Sequence, residues 1–122
     1  MLGGIGRNNQ FQLQQKTINE IHKALKKDGV LLFAENTKAS PLHQFFRKKF
    51  VKWGNEWRYL SLEEWDTLLN NFSSYQIKTT GFLATFGTNE TQRNFLSCFD
   101  KLIFNHIVSN NYKYIAYGFT IK

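Results

Sequence analysis

Cysteine is nearly absent from this sequence, and that scarcity excludes two kinds of architecture. Cys98 is the single cysteine among 122 residues, so neither an intrachain disulfide nor a cysteine-based metal cluster can form. Apolar residues such as Phe95 and Phe99 surround it in the sequence, which predicts that Cys98 is a small buried hydrophobic side chain. We therefore expect a reducing, cytoplasmic environment and no bound metal.

Long apolar runs are also missing. None approaches the ~20 residues that a membrane-spanning helix requires, and the first residues show no signal-peptide pattern. We therefore expect no membrane partner. The sequence has no internal repeat or interdomain linker, so residues 1–122 are expected to form a single domain. The 42% of hydrophobic residues, with twelve Phe, supply enough material for a core.

Acidic side chains are scarce in the first half of the chain. Residues 1–60 hold eleven Lys or Arg against four Asp or Glu, a charge of +7, whereas residues 61–122 hold five of each. Such a basic half favours an anionic partner, which could be nucleic acid, a phosphorylated substrate or a membrane surface. A solvated, lysine-rich face explains the same charge without any partner.

Residues 17–36 carry the clearest structural pattern. Ile18, Ile21 and Leu25 recur at helical spacing, which predicts an amphipathic helix. Gly29 is expected to end the helix in the left-handed conformation. The apolar run from Val30 that follows has no polar alternation, which favours a strand covered on both faces, as in the parallel sheet of an α/β protein.

Further helices and strands follow this pair. Ser40 before Pro41 predicts a helix start, and Ser61 with Glu64 predicts a capping box. The last helix carries an apolar stripe that is expected to face a core. After the first strand, the predicted elements are helices at 41–53 and 61–72, a strand at 75–86, a helix at 89–109 and a strand at 112–121.

Several of these segments resemble one enzyme family. INEIHKALKKDGVLLFAEN at residues 18–36 is similar to the helix and fifth strand of class I S-adenosylmethionine-dependent methyltransferases. YLSLEEWDTLLNNF then resembles the next helix, YQIKTTGFLATF the sixth strand and YIAYGFTIK the closing strand. The resemblance implies an α/β fold, namely the C-terminal portion of a Rossmann-like methyltransferase sheet. Strands five, seven and six would be adjacent in it, with the last strand antiparallel between the other two and with flanking helices.

The resemblance covers only the C-terminal half of that family's domain. The half that binds the methyl donor, with its glycine-rich loop and acidic ribose ligand, is not covered. S-adenosylmethionine is therefore the cofactor expected for the complete domain, while this chain alone is expected neither to bind it tightly nor to be active. Gly3 and Gly4 are candidates for donor contact only because the resemblance implies it. Their own pattern does not indicate a dinucleotide-binding loop, because such a loop must follow a strand.

In the resembling family, residues that follow the fifth strand shape the acceptor pocket, here for a small-molecule or saccharide-like acceptor. Glu35 and His43 are candidates for a catalytic base, and Arg58 for pairing with an acidic or phosphorylated acceptor. The competing interpretations are a solvent-facing His43 and aromatic side chains that only anchor a loop to the core. The substrate-binding candidates are His43, Trp53, Trp57, Arg58 and Tyr59.

The strand from Val30 to Ala34 is also expected to leave an apolar edge. A helix that leads into such a strand is half of a right-handed crossover, whose parallel neighbour would pair with this edge. We therefore expect a homodimer, or the missing N-terminal half, to cover it. The alternative is a small basic nucleic-acid-binding or interaction module that uses the 41–53 helix with Trp57 and Tyr59. No RNA-binding signature is present, so a nucleic-acid partner is not favoured.

Overall fold

Residues 10–51 and 58–122 are described by the structure, a computed structural model. These residues form a mixed α/β arrangement with a small three-stranded sheet and flanking helices, so the predicted class is confirmed at that level. The helices are α1 (Gln10–Ala24), α2 (Pro41–Phe50), α3 (Leu62–Leu69), α4 (Glu90–Phe99) and α5 (Asn105–Ile107), and the strands are β1 (Val30–Asn36), β2 (Ser74–Thr80) and β3 (Ile115–Ile121).

Helix α1 is the predicted amphipathic helix, although it begins earlier, at Gln10. Ile18 is buried, and Ile21 and Leu25 pack against the core, as their spacing predicts. The expectation for the turn after the helix is wrong in one respect. Asp28 rather than Gly29 has the positive φ, at 60°, a conformation that Asp tolerates better than most residues with a Cβ.

The last strand, β3, lies in the centre of the sheet. The order is β1-β3-β2, and β3 is antiparallel to both neighbours. Strands β1 and β2 are therefore parallel to each other, and α2 and α3 connect them. Val30 and Ser74, the first residues of β1 and β2, both pair with Ile121. The carboxyl ends of β1 and β2 consequently lie at the same end of the sheet.

Only one face of β1 is covered by the described residues. Leu31 and Phe33 are partly buried, whereas Val30 is 54% exposed and Leu32 is 77% exposed. The expectation of cover on both faces is therefore wrong for this part of the chain. The reason is that α1 and α3 contribute their apolar side chains to the Leu31 and Phe33 side alone.

The core lies between that covered face and helices α1 and α3. The indole of Trp65 is buried and stacks on the Phe33 ring, with 4.9 Å between the ring centroids. The predicted capping box of α3 is confirmed, since Ser61 and Glu64 exchange side-chain to backbone hydrogen bonds. The buried hydrophobic residues are Ile18, Leu60, Trp65, Leu68, Leu69, Phe72 and Ala116.

Both later strands are shorter than the sequence predicts. Strand β2 ends at Thr80, because Gly81 has a φ of 80° and turns the chain out of the sheet. A Cβ at Gly81 would lie 2.5 Å from the ring of Tyr114, so only glycine fits this close approach. Strand β3 begins at Ile115, because a 3₁₀ turn occupies Asn110–Tyr112.

A π-helical turn interrupts the long helix predicted at 89–109. This turn, Asp100–Phe104, separates α4 from α5. Asp100 is buried, while Phe95 on the apolar stripe is 64% exposed and Cys98 is exposed. The predicted burial of Cys98 and of the stripe is therefore wrong. The helix presents its polar Asp100 side to the interior, and a π turn changes the facing of the residues that follow it.

Candidate functional site

The carboxyl ends of β1 and β2 locate the candidate site. In open α/β sheets, ligands bind in the crevice outside the carboxyl ends of the strands. Here β1 leads through Thr37 into α2, and β2 leads through Gly81 into a short 3₁₀ turn, Ala84–Phe86. The backbone N–H of Thr37 donates to the carbonyl of Tyr114, at 2.9 Å. The segments that follow the two parallel strands therefore meet just before β3.

His43 lies at the centre of this meeting point and is 1% exposed. Its Nε2 is 2.8 Å from the carbonyl oxygen of Phe82. A carbonyl can only accept, so Nε2 carries a proton. Its Nδ1 is 2.6 Å from the hydroxyl of Ser40, which then donates to it. Burial lowers the pKa of His43 from its ordinary 6.5, which favours the neutral ring.

Aromatic rings surround the imidazole of His43. The ring centroids of Phe82, Phe86 and Tyr114 lie 5.0, 4.8 and 5.9 Å from it. The interpretation of His43 as a solvent-facing residue is therefore wrong. Both ring nitrogens are engaged, so action as a general base would require His43 to break one of these two hydrogen bonds. His43 therefore connects α2 to the loop after β2 through its hydrogen bond to the carbonyl of Phe82.

Asp100 holds the same loop from the opposite side, and sequence reasoning missed it. Its buried carboxylate accepts backbone N–H bonds from Phe82 at 3.0 Å, Leu83 at 2.8 Å and Ala84 at 3.0 Å. Three charge-assisted bonds to successive amides fix the conformation of this segment. A lone carboxylate inside a largely apolar helical stretch, FDKLIF, is the sequence signal that could have pointed to it.

A second polar network secures the start of the loop. The side-chain oxygen of Asn105 accepts from the backbone N–H of Gly81, at 3.0 Å. Lys113 is buried and donates through Nζ to the carbonyl of Asn105 and to the side chain of Asn110, each at 2.9 Å. The π turn and the start of α5 thus supply one side chain each, Asp100 and Asn105, to the same loop.

Arg47 provides the cation of the site. Its Nη1 donates to the carbonyl of Thr37, at 2.6 Å, and its guanidinium lies 4.0 Å from the centroid of the Tyr59 ring. Burial lowers the pKa of Arg47. Within residues 10–51 and 58–122, no carboxylate forms an ion pair with this guanidinium.

An open cleft of about 440 Å³ lies against Arg47 and His43. This volume falls within the range of small-molecule sites. Most of the lining is aromatic or small, and Arg47 is its charged side chain. The lining residues are His43, Phe46, Arg47, Phe50, Val51, Thr85, Phe86, Gly87 and Thr88.

The other predicted site residues divide between described and undescribed parts of the chain. The ring of Tyr59 lies against the guanidinium of Arg47. Arg58 lies elsewhere, since it forms an ion pair with Glu64 and donates to the side chain of Gln14, at 2.8 Å. It therefore ties α1 to the start of α3. Gly3, Gly4, Trp53 and Trp57 lie outside the described residues.

Glu35 lines a different hollow from the cleft. This apolar hollow of about 180 Å³ lies along β1, with side chains from α1 and α3 on its other walls. Ile18, Leu32 and Trp65 are among its lining residues. The structure thus brings His43 and Tyr59 to one site and separates Glu35 and Arg58 from it.

Comparison with protein-family models, with curated proteins and with solved structures found no match to this chain. No helix within the described ranges has both the length and the apolar character needed to cross a membrane. In the same part of the chain, no group of three or more His, Cys, Asp or Glu side chains could hold a metal ion.

Proposed function

We propose that this chain is the acceptor-side, C-terminal part of a class I S-adenosylmethionine-dependent methyltransferase. Its acceptor is a small molecule, which binds in the cleft beside Arg47 and His43. The donor-binding half joins the sheet through the open edge of β1. The chain is inactive until that half is supplied.

The position of β3 is the observation that carries this proposal. Strands β1 and β2 are parallel, and a helical crossover connects them, yet the last strand lies between them in the antiparallel direction. The resemblance implies this relation for strands five, seven and six of the methyltransferase sheet. Sequence motifs and strand arrangement therefore favour the same family through different observations.

The two outer strands of the sheet support the proposed place of the donor half. Strand β1 has the sequence VLLFAEN and exposes Leu32, while β2 has the sequence SYQIKTT and carries Lys78. Charged and polar residues discourage pairing at a sheet edge, and long apolar edges invite it. Within the described residues β1 has one neighbour. Its other side is therefore the favoured site for a further strand.

The described residues do not fit the methyl donor itself. In the loop after β1, the backbone N–H of Thr37 is already bonded to the carbonyl of Tyr114. In the loop after β2, three backbone N–H groups are already bonded to Asp100. No strand precedes α1 in the described part of the chain, so no strand–loop–helix unit leads into α1 there. We therefore assign donor binding to the other half and derive no step through it.

The chain's own contribution to methyl transfer is alignment of the acceptor. Transfer from a sulfonium is an in-line displacement, in which positioning lowers the barrier by removing translational and rotational freedom. The aromatic walls at Phe46, Phe50 and Phe86 exclude water and fix the orientation of an acceptor. His43 holds the wall in place through its two hydrogen bonds. Where the acceptor must lose a proton, the base is a group other than His43, because both ring nitrogens of His43 are already hydrogen-bonded.

A titration of S-adenosylmethionine by isothermal calorimetry tests the proposal. The chain alone is expected not to bind the donor. A mixture with the separately expressed donor-binding half of a class I methyltransferase is expected to bind it at least about tenfold more tightly than either part alone, because a completed sheet orders the site. Micromolar binding by the chain alone, or no gain in the mixture, would contradict the proposal.

Two variants make this titration specific for the β1 edge. Leu32 and Gln76 both lie opposite Phe119 in the sheet, on β1 and β2 respectively. Leu32→Lys places a charge beside the proposed junction and is expected to abolish the gain. Gln76→Lys places the same charge beside the other edge and is expected to leave the gain unchanged.

The alternative function is a basic module that binds single-stranded nucleic acid. The surface of α2 favours it, because Phe45 and Phe50 are 56% and 63% exposed beside Lys49. Exposed rings with cations are the means by which such proteins stack bases. Filter binding of an oligonucleotide at two salt concentrations separates the functions. Strong retention that falls steeply with salt favours the module, and no retention favours the methyltransferase part.

A further inference from the structure

The guanidinium of Arg47 has unused hydrogen-bonding capacity. A guanidinium carries five N–H donors, and the bond to the carbonyl of Thr37 uses one of them. In the described part of the chain, the guanidinium of Arg47 makes no other hydrogen bond and no ion pair. The ring of Tyr59 covers one of its faces, at 4.0 Å. The side chain is thus held in place with donors left over, and it lines the cleft.

Aromatic rings form the apolar part of the same cleft. Phe46 lies 4.9 Å from Phe50 and 4.7 Å from Phe86, measured between ring centroids. Phe50 is 63% exposed, so its ring is open to an incoming group. A planar apolar group that entered the cleft would meet these rings and displace water from them.

The charges around the cleft favour an anion. Helix α2 has no acidic residue and carries Arg47, Lys48 and Lys49 in its last turn. Arg93 donates through Nε to the carbonyl of Gly87, a lining residue, at 3.1 Å. The nearby carboxylate of Asp100 accepts three backbone N–H bonds and is buried. Arg47 is therefore the one charged side chain among the described lining residues, and it is a cation.

We infer that this cleft binds a small aromatic acid, whose carboxylate pairs with Arg47 and whose ring lies among Phe46, Phe50 and Phe86. Arginine suits this task because its planar fork can offer two parallel N–H bonds to one carboxylate. The inference assigns to Arg47 the anion-binding role that the sequence suggests for Arg58, whose guanidinium is already paired with Glu64.

The inference deepens the proposed function, because it names the class of acceptor as an aromatic acid. Only the claim that the bound acid accepts a methyl group rests on the proposed function. Binding of the acid requires nothing but residues of this chain, and it is measured without the donor or the donor-binding half. A failed donor titration with intact acid binding would overturn the enzyme assignment alone. The reverse pair of results would overturn the acceptor class alone.

Binding of 4-hydroxybenzoate to the full chain, followed by nuclear magnetic resonance, tests the inference. Its uncharged analogue 4-hydroxybenzamide has the same ring and nearly the same shape. We expect the amide to bind at least about tenfold more weakly, because it loses the charge-assisted pair with Arg47. Inorganic phosphate, an anion without an apolar body, is also expected to bind more weakly than the acid.

Matched variants on one helix provide the control. Arg47→Gln is expected to weaken binding of 4-hydroxybenzoate to the level of the amide. Lys48→Gln removes a charge from an exposed neighbour that does not line the cleft, and it is expected to weaken binding far less than Arg47→Gln does. The comparison of acid and amide on the wild-type chain remains decisive if Arg47→Gln unfolds the protein. Equal binding of acid and amide, binding of neither, or an unaffected Arg47→Gln variant would overturn the inference.

Discussion

His43 links the sequence to the site at the scale of a single residue. The resemblance places it in an acceptor pocket, and it does line the cleft. Its environment, however, is that of a buried hydrogen-bonded residue. The sequence could not reveal this, because the carbonyl that accepts from Nε2 belongs to Phe82, 39 positions further along the chain. A local pattern shows a histidine near a helix start, and only the fold shows what it touches.

The stability of the chain is expected to depend on pH through His43. Burial holds its native pKa below the ordinary 6.5, so the unfolded chain takes up the proton first as the pH falls. The contribution of His43 is therefore complete above about pH 6.5 and is lost as the pH falls toward the native pKa. Urea unfolding at several pH values between 7 and 5 measures this fall.

Two substitutions isolate this effect. His43→Gln removes the titrating group and is expected to flatten the dependence on pH, although the variant is less stable at pH 7. His106→Gln changes an exposed histidine and is expected to retain the wild-type slope. The same slope in the wild type and in His43→Gln would show that another group causes the loss of stability.

At the scale of elements, hydrophobic period and capping chemistry predict much of the fold. The spacing of Ile18 and Ile21 predicts α1, and the Ser61 and Glu64 pair predicts the start of α3. The π turn and the end of β2 escape prediction. Both depend on bonds between distant groups, such as those from Phe82 and Ala84 to Asp100. Local sequence preference favours a continuous helix at 89–109 and a longer strand at 75–86. In both places the tertiary bonds outweigh that preference.

Asp100 is expected to be essential for the loop after β2. Asp100→Asn retains one acceptor oxygen, so at least one of the three backbone N–H groups loses its partner. A buried unsatisfied donor costs about 1–3 kcal/mol, and we expect a loss of this order in the free energy of unfolding. Chemical denaturation of the variant measures it. Glu90→Gln, which changes an exposed acid in the first turn of α4, is the control and should change stability by a few tenths of a kcal/mol at most. A loss equal to that of the control would contradict the assigned role.

At the scale of the whole molecule, the structure exposes many large apolar side chains. Val30 and Leu32 on β1 are examples, and Phe95 on α4, Leu102 in the π turn and Ile107 on α5 are others. Complete burial of one such side chain contributes about 1.5–3 kcal/mol. A typical domain has a total stability of about 5–15 kcal/mol, so burial of several of these side chains would contribute a large share of it. For Val30 and Leu32, the proposed function places that cover at the β1 edge.

The sequence predicts this edge from its composition but predicts its faces incorrectly. An apolar run without alternation suits a strand that is buried on both sides, and the described residues cover one side only. The discrepancy has a physical explanation under the proposed function. The run from Val30 to Ala34 has the composition of an interior strand, and it becomes one when a further strand and its helix join the sheet.

Amide hydrogen exchange on the isotope-labelled chain, with and without the donor-binding half, tests this claim most directly. The account predicts that amides of β1 that are unprotected in the chain alone become protected in the mixture, while the outer amides of β2 stay unprotected. Leu32→Lys should abolish the new protection. Unchanged exchange in β1, or new protection confined to β2, would contradict the assignment of β1 as the junction between the two halves.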